Sequence, residues 1–543
     1  MLIVCSMLMV ARMILSVNAD EMIVGSNENL TSKQRMLGLL PQGSFRIYND
    51  YGYSDSKFPS TDPLYSKYIY AKKILEKLKQ YFATVLTVVG QSQTYAIPNL
   101  DTSDGALILA NSSLQYDLYV WIYVFSNASD PWDYTSRILF QDPVTNRPLV
   151  GKIRINLFLI KPTYANVVHY FGSFVSGFYQ LVAFNSKLFP FFVDSNFQII
   201  NISKTLTKVT LNNKTYTGYI GKNALGYART FLNDPNLSYI LLENSGGSEL
   251  ANNFWEAMYW PIEFMSSINS MPNILTGLSL SVAVDSGWYL ADFSWTSNLT
   301  AGYNAGPGFQ SGGCPSTIKG FCTDFTANYC SSEGIYKSVC SNDPQLSDGC
   351  GFLNGTVSCI IPDSSSSYGS LVDFGFEILG VGSRCAVFVA TPGGQTSSKC
   401  GKASCDTTSA VTYTFLGGVT CQCTIANQGS QVSCTGSSTA YTIKCPANNT
   451  EICINLAGIA ACPNDCSGQG VCLGPPGDKK CFCMFGFGGV DCSFVSQDAL
   501  PTNQPTLAPS TDFMYAFGYI SHAYISHFFN ILTIILFVIQ FHY

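Results

Sequence analysis

The chain of 543 residues contains four histidines, and three of them (His522, His527 and His542) lie in its C-terminal tail. His169 is the fourth, and a metal site with three imidazole ligands cannot be built from it alone. A serine–histidine–carboxylate triad would have to use the same residue, and the chain has neither a Gly-x-Ser-x-Gly elbow nor a phosphate-binding glycine loop. Cysteine is missing from Ser6 to Gly313, so this long first block offers no thiol nucleophile. Charge is scarce as well: Asp, Glu, Lys and Arg make up 12% of the chain and the net charge is −6, which leaves no basic footprint for nucleic acid.

What is present speaks for an exported protein. Residues 1–19 read as a signal peptide, apolar over Met1–Val17 with small residues at the cleavage positions of Val17-Asn-Ala19. Nine Asn-x-Ser/Thr sequons begin at Asn29, Asn111, Asn127, Asn201, Asn213, Asn236, Asn298, Asn354 and Asn448, a density that fits a glycosylated exterior. Apart from Cys5, all of the 21 cysteines lie between Cys314 and Cys492, an even set that predicts up to ten disulfides. A zinc-binding alternative would rest on Cys421-Gln-Cys423 and Cys481-Phe-Cys483, whose one-residue gaps lack the spacing of zinc knuckles.

The pattern predicts an α+β first domain over residues 20–312. Phe45–Tyr48, Val85–Val89, Asp117–Phe125 and Gly151–Asn156 are β-branched and aromatic and read as strands. Lys67–Phe82 has helical spacing and should cover one sheet face. In a helix from Tyr164 to Phe184, Phe171, Phe174, Val175, Phe178, Leu181 and Val182 form one apolar face. The other stripe, His169, Gly172, Ser173, Ser176, Gly177 and Gln180, is small and polar. Two interior glycines cost about 1 kcal/mol each against alanine, so the stripe is either a cleft wall or a place of close backbone packing. Residues 313–460 form a disulfide-rich, mostly β region. Residues 461–493, six cysteines with a C-x-C and a late glycine-aromatic turn, resemble an EGF-like module, without the acidic lead-in of a calcium-binding one. A Pro/Thr-rich linker (494–512) and a hydrophobic anchor signal (513–543) follow, the latter a GPI signal or a single span.

Several landmarks together resemble the leishmanolysin-like (metzincin) zinc metalloproteases. They are Phe45-Arg-Ile-Tyr-Asn-Asp-Tyr, the run from Phe140 to Asn156, Ala183-Phe-Asn-Ser-Lys-Leu-Phe-Pro, Phe254-Trp255-Glu256, Met265-Ser266 and Asp285-Ser-Gly-Trp-Tyr-Leu-Ala-Asp. The resemblance implies a metzincin fold, zinc endopeptidase activity, surface anchoring and often adhesion. It also assigns positions: Ser176 and Gln180 stand at the two helix histidines, Gly177 at the general base, Phe254 at the third histidine and Met265 in the Met-turn. A hydroxyl, an amide and a phenyl ring are poor or impossible zinc ligands, and a glycine cannot accept a proton from water. No catalytic residue, metal or other cofactor is therefore expected, although zinc serves the family's active members. Phe254 is expected to fill part of the vacated volume against Gln180 and Ser176, with Met265 beneath it in the core and His169 in a core or cleft-edge role.

The resulting expectation is a surface pseudoprotease on the extracellular face of the plasma membrane, binding a polypeptide or a cell-surface ligand. The competing readings are an active zinc metalloendopeptidase with non-standard ligands and a protective coat protein.

Overall fold

The computed structural model describes residues 45–495, apart from 90–99, 103–104, 108–115, 163, 269, 272, 298, 312, 332, 362–371, 373–374, 390–395, 437–439, 458–461 and 475–477. The expected signal peptide and anchor lie outside the described residues, as do all but the first two residues of the expected linker. Among the described residues no helix is long and apolar enough to cross a membrane.

The chain opens with β1 (Ile47–Asp50), α1 (Gly52–Lys57), α2 (Tyr65–Val85) and β2 (Leu86–Val88). A short hairpin of β3 (Leu100–Thr102) and β4 (Gly105–Leu107) precedes β5 (Leu118–Phe125), β6 (Tyr134–Gln141), β7 (Pro148–Asn156) and α3 (Tyr164–Val182). The main sheet runs β1-β5-β7-β6, with β1, β5 and β7 parallel and β6 antiparallel at the edge. Side chains of a strand alternate between faces, and in β5 this sends Leu118, Val120, Ile122 and Val124 into the core beneath the helices. The helix expected over Lys67–Phe82 is α2, which buries Ala71, Ile74, Leu75, Leu78 and Phe82 at steps of three and four. In α3 all six expected apolar-face residues are buried. Fully burying a side chain of this size contributes about 1.5–3 kcal/mol. Close approach of α3 to the sheet depends on Gly151 of β7, where a Cβ would lie 2.6 Å from the Leu181 side chain.

A second group of elements completes the first block: β8 (Leu206–Leu211), β9 (Lys214–Tyr219), α4 (Lys222–Leu232), β10 (Ile240–Leu241), α5 (Gly247–Leu250), α6 (Gly277–Asp285) and β11 (Tyr289–Ala291). Asp285, at the end of α6, accepts from the backbone N–H of Asn223 (2.7 Å) and Ala224 (3.2 Å) in the first turn of α4. A carboxylate there suits the positive end of the helix, yet burial still pushes Asp285 up to about 6.

The cysteine-rich part is mostly β. It has a four-stranded sheet of β12 (Phe321–Cys322), β13 (Asn328–Cys330), β14 (Tyr336–Ser341) and β15 (Gly351–Ser358). A six-stranded sheet follows, of β16 (Ser383–Val389), β17 (Thr396–Cys405), β18 (Val411–Thr414), β19 (Thr420–Cys423), β20 (Gln431–Ser433) and β21 (Thr442–Lys444). All 20 cysteines from Cys314 to Cys492 are paired in ten disulfides. The last six pair among themselves, Cys462–Cys472, Cys466–Cys481 and Cys483–Cys492, around the hairpin of β22 (Gly470–Leu473) and β23 (Lys480–Cys483).

The apolar core crosses the expected boundaries at 312 and 460. Phe321, Cys350, Phe352, Leu473, Phe482 and Met484 are buried in the same cluster as α2 and α3. Phe482 meets Tyr81 edge-on at 5.8 Å and Phe171 at 5.6 Å between ring centroids. On its other side the module is held by Arg384 of β16, fully buried, whose guanidinium grips both oxygens of Asp465 at 3.0 Å. The six-cysteine module is thus built into the protein.

Candidate cleft on helix α3

A cavity of about 430 Å3 lies beside the polar stripe of α3. One wall is β6 with the loop before it (Trp132, Asp133, Tyr134, Ser136), and a second is His169, Ser173, Ser176 and Gln180 of α3. Glu249 and Phe254, then Phe264, Ser266 and Asn273, and finally Asp343 and Leu346 from the cysteine-rich part complete it. The loop before β6 is pinned by buried Asn156, whose amide donates to the carbonyls of Asn127 (2.8 Å) and Asp130 (3.2 Å). Burial pushes the Asp133 carboxyl up to about 6.

The polar stripe divides between the two alternatives its sequence left open. Its glycines serve close packing: a Cβ on Gly172 would stand 2.6 Å from the Asn273 Cβ, and one on Gly177 would stand 2.7 Å from the Tyr134 ring. His169, Ser173, Ser176 and Gln180 line the cavity. His169 is a cleft-edge residue whose Nδ1 has no hydrogen-bond partner among the described residues; burial lowers its basicity.

Ser176 lies 2.5 Å from the Tyr134 hydroxyl and 2.6 Å from the Ser173 carbonyl. A serine has one proton; the carbonyl can only accept, so Ser176 donates to it and Tyr134 donates to Ser176. The Ser136 hydroxyl donates to Gln180 Oε1 at 2.5 Å. The Gln180 amide reaches the Asn253 carbonyl at 3.5 Å. Phe254 is buried and lines the same cavity, but the hydroxyls that donate to Ser176 Oγ and Gln180 Oε1 come from β6. Tyr134 and Ser136 were not singled out from the sequence. The signal that could have found them is the alternation Tyr134, Ser136, Ile138, which puts these residues on the helix side of an edge strand.

Beneath the cleft Met265 is fully buried, and its carbonyl accepts from the Trp255 backbone N–H at 2.8 Å. Glu263, also fully buried, accepts from Met265 N (2.5 Å), Thr276 Oγ1 (2.6 Å) and Ser279 Oγ (2.7 Å). Ser279 in turn accepts from the Trp255 indole at 2.8 Å. Burial raises Glu263 to about 7 despite these three donors. Glu243 and Glu256 are likewise buried and displaced upward, by burial first and, for Glu256, by the charge of Glu243. The Ser267 hydroxyl, on the cleft wall, donates to Glu243.

Residues 88–353 match the sequence model of the leishmanolysin family (peptidase M8). Over this stretch the chain is leishmanolysin-like. A leishmanolysin homolog of Crithidia fasciculata is 26% identical over 147 residues, which is 27% of this chain and 22% of that relative. The family match ends inside the cysteine-rich part, just past the loop closed by Cys314–Cys350 that gives Asp343 and Leu346 to the cleft.

Against the zinc of such a family, the side chains in this leishmanolysin-like cleft do not fit. Ser176 gives its proton to a carbonyl and turns its oxygen to Tyr134. The amide oxygen of Gln180 accepts from Ser136, and Phe254 has no donor atom. Among the described residues the one grouping with metal-ligand proximity is Cys462, Cys466 and Cys481, and all three are in disulfides.

Proposed function

We propose that this is a catalytically inactive, leishmanolysin-like surface protein that binds polypeptide in the cleft between β6 and α3. In this reading Ser176, Gly177, Gln180 and Phe254 stand at the positions of first ligand, general base, second ligand and third ligand, and Met265 in the Met-turn. The observation that carries it is the hydrogen bonding of the α3 stripe to β6, which commits Ser176 and Gln180 to the strand and, with no side chain at Gly177, leaves neither a metal ligand nor a base at these three positions. The edge position of β6 supports the binding half, since an edge strand offers unpaired N–H and C=O groups to an extended peptide. Half-exposed Trp132 at the rim is an anchor of the type that dominates binding energies. The self-contained disulfide set of residues 462–492 supports an EGF-like module, here fused to the cleft domain. The signal peptide, the sequons and the apolar C-terminal tail support display on the extracellular face of the plasma membrane, by GPI anchor or single span.

Metal content decides between this reading and an active zinc peptidase with non-standard ligands. Residues 20–510, purified without chelator or His-tag, should hold no stoichiometric zinc by plasma mass spectrometry. Stoichiometric zinc together with chelator-sensitive peptide hydrolysis would establish the peptidase.

A further inference from the structure

Strand β6 turns alternate side chains to α3, and the two elements meet at three successive places. Tyr134 hydrogen-bonds Ser176, Ser136 hydrogen-bonds Gln180, and between them the Tyr134 ring lies over Gly177. A Cβ on Gly177 would come within 2.7 and 2.8 Å of two ring carbons, far inside van der Waals contact, so while the ring is there only hydrogen fits at residue 177. The hydroxyls are committed too: each donates inward, Tyr134 to Ser176, Ser176 to the Ser173 carbonyl and Ser136 to Gln180. Burial raises the Tyr134 hydroxyl well above the usual phenol value and keeps it a donor.

Resting on the reading that residues 176, 177 and 180 stand at ligand, base and ligand positions, we infer that Tyr134 and Ser136 are a plug that closes the former metal site from the strand side. The ring occupies the volume a general-base side chain at residue 177 would need, and the two hydroxyls satisfy the helix groups that replaced the ligands. The site has been rebuilt as a hydrogen-bonded strand–helix contact, so restoring imidazoles and a carboxylate on α3 does not restore metal binding while Tyr134 remains.

A double-mutant cycle tests the packing without any metal. Alanine is the better helix former, so Gly177→Ala should raise the melting temperature where it does not collide. The expected result is a change of sign: Gly177→Ala lowers the melting temperature with Tyr134 present and raises it in Tyr134→Ala. The same sign in both backgrounds would overturn the plug. The second measurement is zinc content of Ser176→His/Gly177→Glu/Gln180→His/Phe254→His, with and without Tyr134→Ala/Ser136→Ala. Stoichiometric zinc is expected only when both strand residues are cut back. Zinc in the fourfold variant that keeps Tyr134, or zinc in neither, would remove the plug as the barrier. Stoichiometric zinc in the unaltered protein would instead overturn the underlying assignment of positions.

Discussion

The two parts of this protein are held together by different means. The first block, up to residue 312, has no cysteine once the expected signal is set aside and is built on one large apolar core from the apolar faces of α2 and α3 and from α6. The part from Cys314 to Cys492 has smaller apolar clusters and ten disulfides. A large core can exclude water by itself, whereas sheets and hairpins with little to bury need covalent closure. The largest expected effect follows. Each disulfide typically contributes about 2–4 kcal/mol, so reduction under native conditions should unfold the sheets of β16–β21 and leave the first block folded. All six tryptophans lie in the first block, so their emission reports chiefly on it, with Trp295 also packed on Phe482 and Lys480 of the six-cysteine module. Emission that stays blue while circular dichroism loses β signal is the expected outcome. Emission shifting to that of exposed indole would break the comparison.

Next in size is the core itself. Phe178 is fully buried on the apolar face of α3, stacked at 6.0 Å from Phe82. Phe178→Ala should cost about 3–5 kcal/mol, read by denaturant unfolding. A loss below about 1 kcal/mol, with unchanged denaturant slope, would mean that the block does not depend on that face.

Slightly smaller is the expected effect at the seam between the two parts. Arg384 is buried and pairs with Asp465, which sits in a run of four residues with left-handed backbone, Asn464 to Ser467. Such residues cost roughly 1–2 kcal/mol each, and the ion pair and the disulfides of Cys462 and Cys466 hold them. Removing one partner of a buried pair typically costs about 3–5 kcal/mol; with Asp465 partly exposed, Arg384→Ala should cost about 3 kcal/mol. The variant should also make the six-cysteine module more sensitive to proteolysis than the sheet it docks on. Equal protection in variant and parent would mean that Phe482 and Leu473 alone hold the module.

Much of this was legible in the chain. The period of α3 named its buried face, and cysteine placement anticipated the covalent half. The family match and the landmarks from Phe140 to Asp292 agree over most of the first block. The polar stripe of α3 was ambiguous for a physical reason: small residues serve a cleft wall and close packing equally well, and both uses occur within two turns of one helix. What fills the space over Gly177 was not legible, because the ring comes from Tyr134, 43 residues earlier, and contacts between distant segments leave no local pattern. Docking of the six-cysteine module was hidden likewise, since Phe482 reads as an ordinary module residue until Tyr81 and Phe171 are placed beside it.

The smallest predicted effect, taken group by group, separates the two parts by pH. In the first block burial raises Asp133 and Asp285 to about 6 and Glu263 to about 7. In the cysteine-rich part Asp324, Asp406 and Asp491 are lowered, each first by a side-chain hydroxyl of Thr326, Thr408 or Ser493. A carboxyl raised in the folded state binds more protons there than in the unfolded chain, whose values lie near 4. Its contribution is therefore most favourable below about pH 4 and is lost as pH rises through 6 and 7. Each raised group changes stability by about 1.4 kcal/mol at most per pH unit across its interval. The lowered groups have the opposite sign, stabilising above pH 4 and losing that contribution in acid, and their exposure makes the effect slight. Unfolding followed by tryptophan emission should thus show the first block more stable at pH 5 than at pH 8. A midpoint that rises over that range would mean that Asp133, Glu263 and Asp285 are stabilised as carboxylates, and that the hydrogen bonds to Glu263 and Asp285 outweigh their burial.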